Sequence, residues 1–248
     1  MKPRFFLILT PFFTLLLSEI FFFQVKFFYW CLILINLIVG YSIYKVSGLS
    51  LKNKNLGRHL ILPFFFLNGL CFYLLLSSNT GIIQFLILIL IFFVYYYLRQ
   101  IYLGNRGEIK VRWDNLSYYF SFLALFFVFS FIYGSEGSLF STTSLSIFFI
   151  ITVLFLTYQV FWAQELLEKR NYVFIFLIGL VLIELAWVFF YLPFSYNIGG
   201  LVIAIFYYLI LGMVRLHLKG ALNKRKIKFY LSLSLGCIAL ILLTARIF

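Results

Sequence analysis

Two carboxylates stand inside apolar runs of a chain that carries almost no other charge there, and they are the first residues to which chemistry could be assigned. Glu184 lies in the run 172–191, seven residues short of Tyr191, or about 10 Å from that end at 1.5 Å per residue. Glu19 lies four residues from the end of the run 5–23, about 6 Å deep. An ionisable side chain costs a few kcal/mol or more to place in hydrocarbon, so each of these calls for a role.

Val181, Trp187, Val188 and Tyr191 fall at offsets of three, four and seven from Glu184, which predicts an aromatic and polar strip pointing into a helix bundle. A carboxyl in that setting is expected as the neutral acid, exchanging hydrogen bonds with the Trp187 indole or the Tyr191 hydroxyl. It would serve either as a proton-relay or substrate-binding group or, more simply, as a tie between helices. Arg246, near the end of the last apolar run, approaches the same membrane face as Glu19. A pair between them would latch the closing helix to the opening one, and snorkelling of both to the headgroups is the simpler alternative.

Glu165, Glu168, Lys169 and Arg170 follow the sixth apolar run, and Arg215 and His217 end the eighth, with Lys219, Lys224, Arg225, Lys226 and Lys228 beyond. This is the richest polar surface in the chain. It could dock a protein partner or anionic headgroups, or act only as a solvated collar that sets topology.

Residue types required by most intramembrane enzymes are scarce. Zinc held by HExxH needs two histidines one helical turn apart, whereas His59 and His217 are the only histidines and sit far apart in sequence. The stretch Gly134, Ser135, Glu136, Gly137, Ser138 has no histidine to activate a serine, and Glu108 with Asp114 makes no aspartate cluster for metal-assisted phosphoryl chemistry. Cys31, Cys71 and Cys237 lack CxxC spacing and read as small packing residues. No catalytic residue, metal site or cofactor is expected.

The elements that must position these residues follow from composition. The 248 residues are 65% apolar and 11% charged, with a mean hydropathy of +1.08, so the solvent of this chain is lipid. Runs such as 82–98 are apolar on every side with Gln84 the only exception, which fits helices and excludes the alternation of a β-barrel. Division at the polar breaks predicts an all-α, polytopic membrane bundle of nine transmembrane helices, at 5–23, 27–44, 60–76, 82–98, 116–133, 145–162, 172–191, 198–214 and 229–244. Short turns make these four hairpins plus one C-terminal helix, within a single transmembrane domain over residues 1–248. Pro11 and Pro63 are expected to kink helices one and three. Gly200 with Ala204, and Ser232 with Gly236, have the spacing of small residues that lets helices approach.

With the N-terminus in the cytoplasm, all but Lys26 and Arg246 of the 20 Lys and Arg residues fall on the cytoplasmic side. The C-terminus is then outside, and the setting expected is a bacterial cytoplasmic membrane. The formal charge of +13 accordingly reads as topology signal and contact with anionic headgroups, with no role in binding nucleic acid. The basic residues preceding successive outward helices recur about every 55 residues, the length of any minimal hairpin, which leaves internal duplication open.

Two function classes remain. The first is a non-catalytic scaffold, anchor or regulatory subunit for a membrane protein partner. The second is a small secondary transporter that uses Glu184 as its proton or substrate group. The scarcity of polar companions for Glu184 favours the first.

Overall fold

The computed structural model describes residues 3–49, 54–106, 113–135 and 142–244. Apolar runs in lipid must satisfy their backbone groups internally, and the described residues accordingly form helices and no strands. Nine of these helices are long and apolar enough to cross a membrane. They are α1 (Pro3–Phe23), α2 (Phe28–Ser47), α3 (Lys54–Leu74), α4 (Thr80–Arg106), α5 (Trp113–Gly134), α6 (Thr142–Ala163), α7 (Tyr172–Phe190), α8 (Tyr196–Leu218) and α9 (Lys224–Thr244).

Several helices run past the apolar limits read from sequence. The longer extensions of α3, α4, α8 and α9 lie at their Lys- and Arg-bearing ends, where the backbone keeps its helical bonds beyond the apolar run. Local chemistry marks the true ends. Gly48 after α2 and Gly220 after α8 take left-handed conformations, with φ of 62° and 63°. The Asn79 side chain accepts from the amides of Gly81 and Ile82 at the start of α4, and Asn223 accepts from Lys226 at the start of α9.

The helices fall into two compact units, Met1–Trp113 and Asp114–Phe248. In the first, sequence neighbours run antiparallel. Thr10 meets Ser42 between α1 and α2 at 2.6 Å, Asn36 meets Asn68 between α2 and α3, and the Tyr97 hydroxyl of α4 donates to the His59 carbonyl of α3 at 2.7 Å. Phe66 and Phe93 stack in the core with ring centres 4.0 Å apart. These registers place Arg4, Lys45, Arg58 and Arg99 toward one end of the unit and Glu19 and Lys26 toward the other.

In the second unit α5 and α8 run antiparallel in close contact. The Tyr118 hydroxyl donates to the Tyr208 carbonyl at 2.9 Å, and Gly200 sits against Ser130. Phe129 of α5 meets Phe149 of α6, and Gly179 of α7 lies against Leu154 of α6. Helix α9 was expected to be left over from the hairpins. It packs along α8 through Tyr230 and Tyr208, yet only Ser234 and Ile238 of its residues are buried.

Candidate functional site

Glu184 is exposed on the surface of α7. The sequence expectation that its strip points into the bundle is therefore corrected. Trp187 is 51% and Tyr191 80% exposed, and Val181 and Val188 are exposed with them. The reason lies on the opposite side of the helix. Ile175, Ile178, Gly179, Leu182, Ala186 and Phe189 form its buried stripe, and small Gly179 and Ala186, seven residues apart, let α7 approach its neighbours. A Cβ on Gly179 would lie 2.9 Å from Leu154, so that face is close-packed. Helical geometry then turns Glu184 outward, six residues from the end of α7 at Phe190, which is about 9 Å along the axis. Its carboxylate has no hydrogen-bond or ion-pair partner among the described residues.

The predicted docking residues gather at the other end of α7. Glu165 closes α6 in a left-handed conformation, φ 57°, with the Leu166 amide donating to the Phe161 carbonyl at 2.9 Å. The buried Asn171 amide donates back to the Leu166 carbonyl and fixes the turn that presents Glu168, Lys169 and Arg170. Arg170 and Glu168 stand 3.9 Å apart and are both largely exposed, a geometry worth little energetically. His217 of α8 lies beside Phe174 of α7, with ring centres 6.0 Å apart, and this contact joins the two sets of polar residues. Arg215 is engaged otherwise. Its guanidinium covers the Tyr118 ring at 4.7 Å, which ties α8 to α5 and leaves packing as its main task. Replacing Tyr118 with Phe is expected to cost about 0.6 kcal/mol, the mean for an interhelical hydrogen bond in a membrane. Unfolding titrations of the detergent-solubilised protein would measure this, with the Arg215 contact retained.

In the first unit Glu19 finds a partner that the sequence did not suggest. Gln84 of α4 donates to its carboxylate at a long 3.4 Å. Arg246, its expected partner, lies outside the described residues. Asn36 and Asn68 make a reciprocal amide pair, each donating to the other at 3.2 and 3.1 Å while also donating to a carbonyl of its own helix. Among the described residues no group of three or more His, Cys, Asp or Glu side chains could hold a metal ion.

A family model described as a protein of unknown function, DUF5656, matches residues 16–244, which spans all but the ends of the chain. The chain belongs to the DUF5656 family. No curated protein and no solved structure matches it.

This DUF5656 chain also holds a buried hydroxyl layer that the sequence reading recognised only in part. Ser121 of α5, Thr157 of α6 and Tyr207 of α8 are fully buried, and the Tyr207 hydroxyl faces the other two without a hydrogen bond of good geometry. The Gln159 amide is likewise buried and unpaired. Thr157 and Gln159, polar residues inside an apolar run, are readable from the sequence as interhelical hydrogen-bonding residues. The spacing of Ser117 and Ser121, one turn apart on α5, was a legible signal for the rest.

Proposed function

We propose that this DUF5656 protein is a non-catalytic scaffold, anchor or regulatory subunit that holds a membrane partner against the outward face of α7. The observation that carries this reading is the exposed Glu184, set within the span beside exposed Trp187 and Tyr191. A carboxyl facing lipid costs several kcal/mol when bare, whereas a partner helix offering a basic, amide or hydroxyl donor at that depth removes the cost. Aromatic side chains with one polar atom are the usual anchors of such a contact. The Lys- and Arg-bearing loops of the sequence are read as cytoplasmic and in contact with anionic headgroups, with the N-terminus inside and the C-terminus outside a bacterial cytoplasmic membrane. Glu165, Glu168, Lys169, Arg170 and His217 form the rim by which a partner's loops are read.

A carrier would instead keep Glu184 in a polar cavity. Cavities of about 440, 280 and 170 Å³ occur among the described residues, and none has a carboxylate in its lining. The two readings part on Glu184. Co-purification of the tagged full-length chain from native membranes should recover a stoichiometric partner, with Glu184→Leu lowering recovery about tenfold, in keeping with the loss of one or two membrane hydrogen bonds. Glu184→Gln, which keeps hydrogen bonding and removes titration, should preserve the partner. Recovery of the chain alone, together with a proton flux in proteoliposomes that Glu184→Gln abolishes, would support the carrier and contradict the scaffold.

A further inference from the structure

Several buried hydroxyls of this chain are satisfied by their own helices. Thr14, Ser18, Ser42 and Thr152 each donate to a carbonyl three or four residues earlier, at 2.7–2.8 Å, which is the ordinary local bond of such a group in an apolar span. Ser117 and Ser121 of α5, Thr157 of α6 and Tyr207 of α8 break that pattern. All four are fully buried, and none of their hydroxyls has a hydrogen-bond partner of good geometry among the described residues. The side-chain amide of Gln164, buried just past the end of α6, is likewise unpaired at both its nitrogen and its oxygen.

These five groups form a row. Ser117 and Ser121 stand one turn apart on one side of α5, and Thr157 and Gln164 two turns apart on one side of α6, where the Gln164 backbone still donates to the Val160 carbonyl at 3.1 Å. The contact of Phe129 with Phe149 sets the antiparallel register of the two helices, and the same number of residues from it along each brings Ser121 level with Thr157. The Tyr207 hydroxyl meets both of them from α8. Ser117 then lies about 6 Å and Gln164 about 10 Å from this level, toward the end of the unit that carries Arg215. The row therefore leads from the close of α6 into the middle of the span.

We propose that the second unit binds a short file of water between α5, α6 and α8, anchored where Tyr207, Ser121 and Thr157 converge and continued past Ser117 to Gln164, where it exchanges with the aqueous phase. A buried hydroxyl or amide turned away from its own backbone carries its full desolvation cost until something meets it. Each of these hydroxyls donates and accepts, and the amide does both through separate atoms, so the occupant must do both as well. Water does, and three converging polar groups are the usual coordination of a buried one. The innermost water is thus a ligand shared by three helices, which joins them where their hydroxyls do not bond directly.

The test is pulsed X-ray radiolysis of the full-length protein in nanodiscs, in which a hydroxyl radical formed from a bound water oxidises the side chain beside it, read by mass spectrometry. Tyr97 is the internal control, because it is also fully buried and its hydroxyl donates to the His59 carbonyl. In the native chain Tyr207 should be oxidised about tenfold faster than Tyr97. Thr157→Val, which keeps the shape and removes one of three partners, should lower the Tyr207 rate about fivefold, and Thr157→Ser should retain it. Gln164→Leu should slow it by closing the entrance. A Tyr207 as slow as Tyr97 would overturn the proposal and leave the hydroxyls bonded to one another or to their own helices. A fast Tyr207 indifferent to Thr157→Val would overturn the three-hydroxyl site, and one indifferent to Gln164→Leu would overturn the entrance. The comparison within the native chain needs no variant, and a raised Tyr97 rate would reveal any substitution that disturbs folding.

Discussion

Replacing Gly200 with Ala is expected to destabilise the second unit by about 1–3 kcal/mol, the usual cost of overpacking a filled core, and replacing it with Leu to prevent assembly of α5 with α8. A Cβ at this position would lie 1.9 Å from the Ser130 hydroxyl oxygen, 3.0 Å from the Ser130 Cβ and 3.1 Å from the Phe126 carbonyl oxygen. The first contact can be relieved by a side-chain change. The last belongs to the backbone of α5 and can be relieved only by moving a helix. Ser130→Ala in the Gly200→Ala background should therefore recover part of the loss and Ser130→Gly more of it. Gly236→Ala in α9, whose Cβ would meet nothing within 4 Å, should change stability by less than about 0.5 kcal/mol. Unfolding titrations of these variants in detergent measure the difference. Equal stability of Gly200→Ala and Gly236→Ala would show that α5 and α8 do not meet at Gly200.

Asn68→Leu is expected to cost about 1–2 kcal/mol, and Asn36→Leu a similar amount, through loss of the two bonds between α2 and α3. Each amide would keep its bond to a carbonyl of its own helix, Leu32 for Asn36 and Phe64 for Asn68, so the loss falls on the interhelical part. The double variant should cost little more than either single one, because it leaves no amide facing a methyl group. A double-mutant cycle on the purified protein gives the coupling directly. Additive losses would mean that the two amides do not act on each other.

The helices were legible because an apolar run of about 20 residues in lipid has no alternative to satisfying its backbone within itself. Their ends were less so. Hydropathy reports where side chains turn polar, while the helix continues until a residue such as Gly48 or Gly220 lets the chain turn. Asn36, Asn68 and Gln84 were readable as hydrogen-bonding residues from their type alone. Their partners depend on interhelical register, which loop lengths do not specify. For Glu184 the sequence located the residue and misjudged its direction. An aromatic strip around a carboxyl resembles an interior face, but α7 is apolar nearly all round, and in such a helix the packed side is chosen by small residues. Gly179 and Ala186 carry that information, as Gly200 does in α8. In α9 the similar spacing of Ser232 and Gly236 finds no neighbour, so the pattern alone does not identify a contact.

The most direct measurement is site-specific photo-crosslinking in native membranes, with the reactive group placed in turn at exposed Val188 and at buried Ala186 of α7. A docking face predicts one dominant protein adduct from Val188, none to another chain from Ala186, and loss of the Val188 adduct in the Glu184→Leu background. Lipid adducts alone from Val188, or the same protein adduct from both positions, would contradict a partner held by this face.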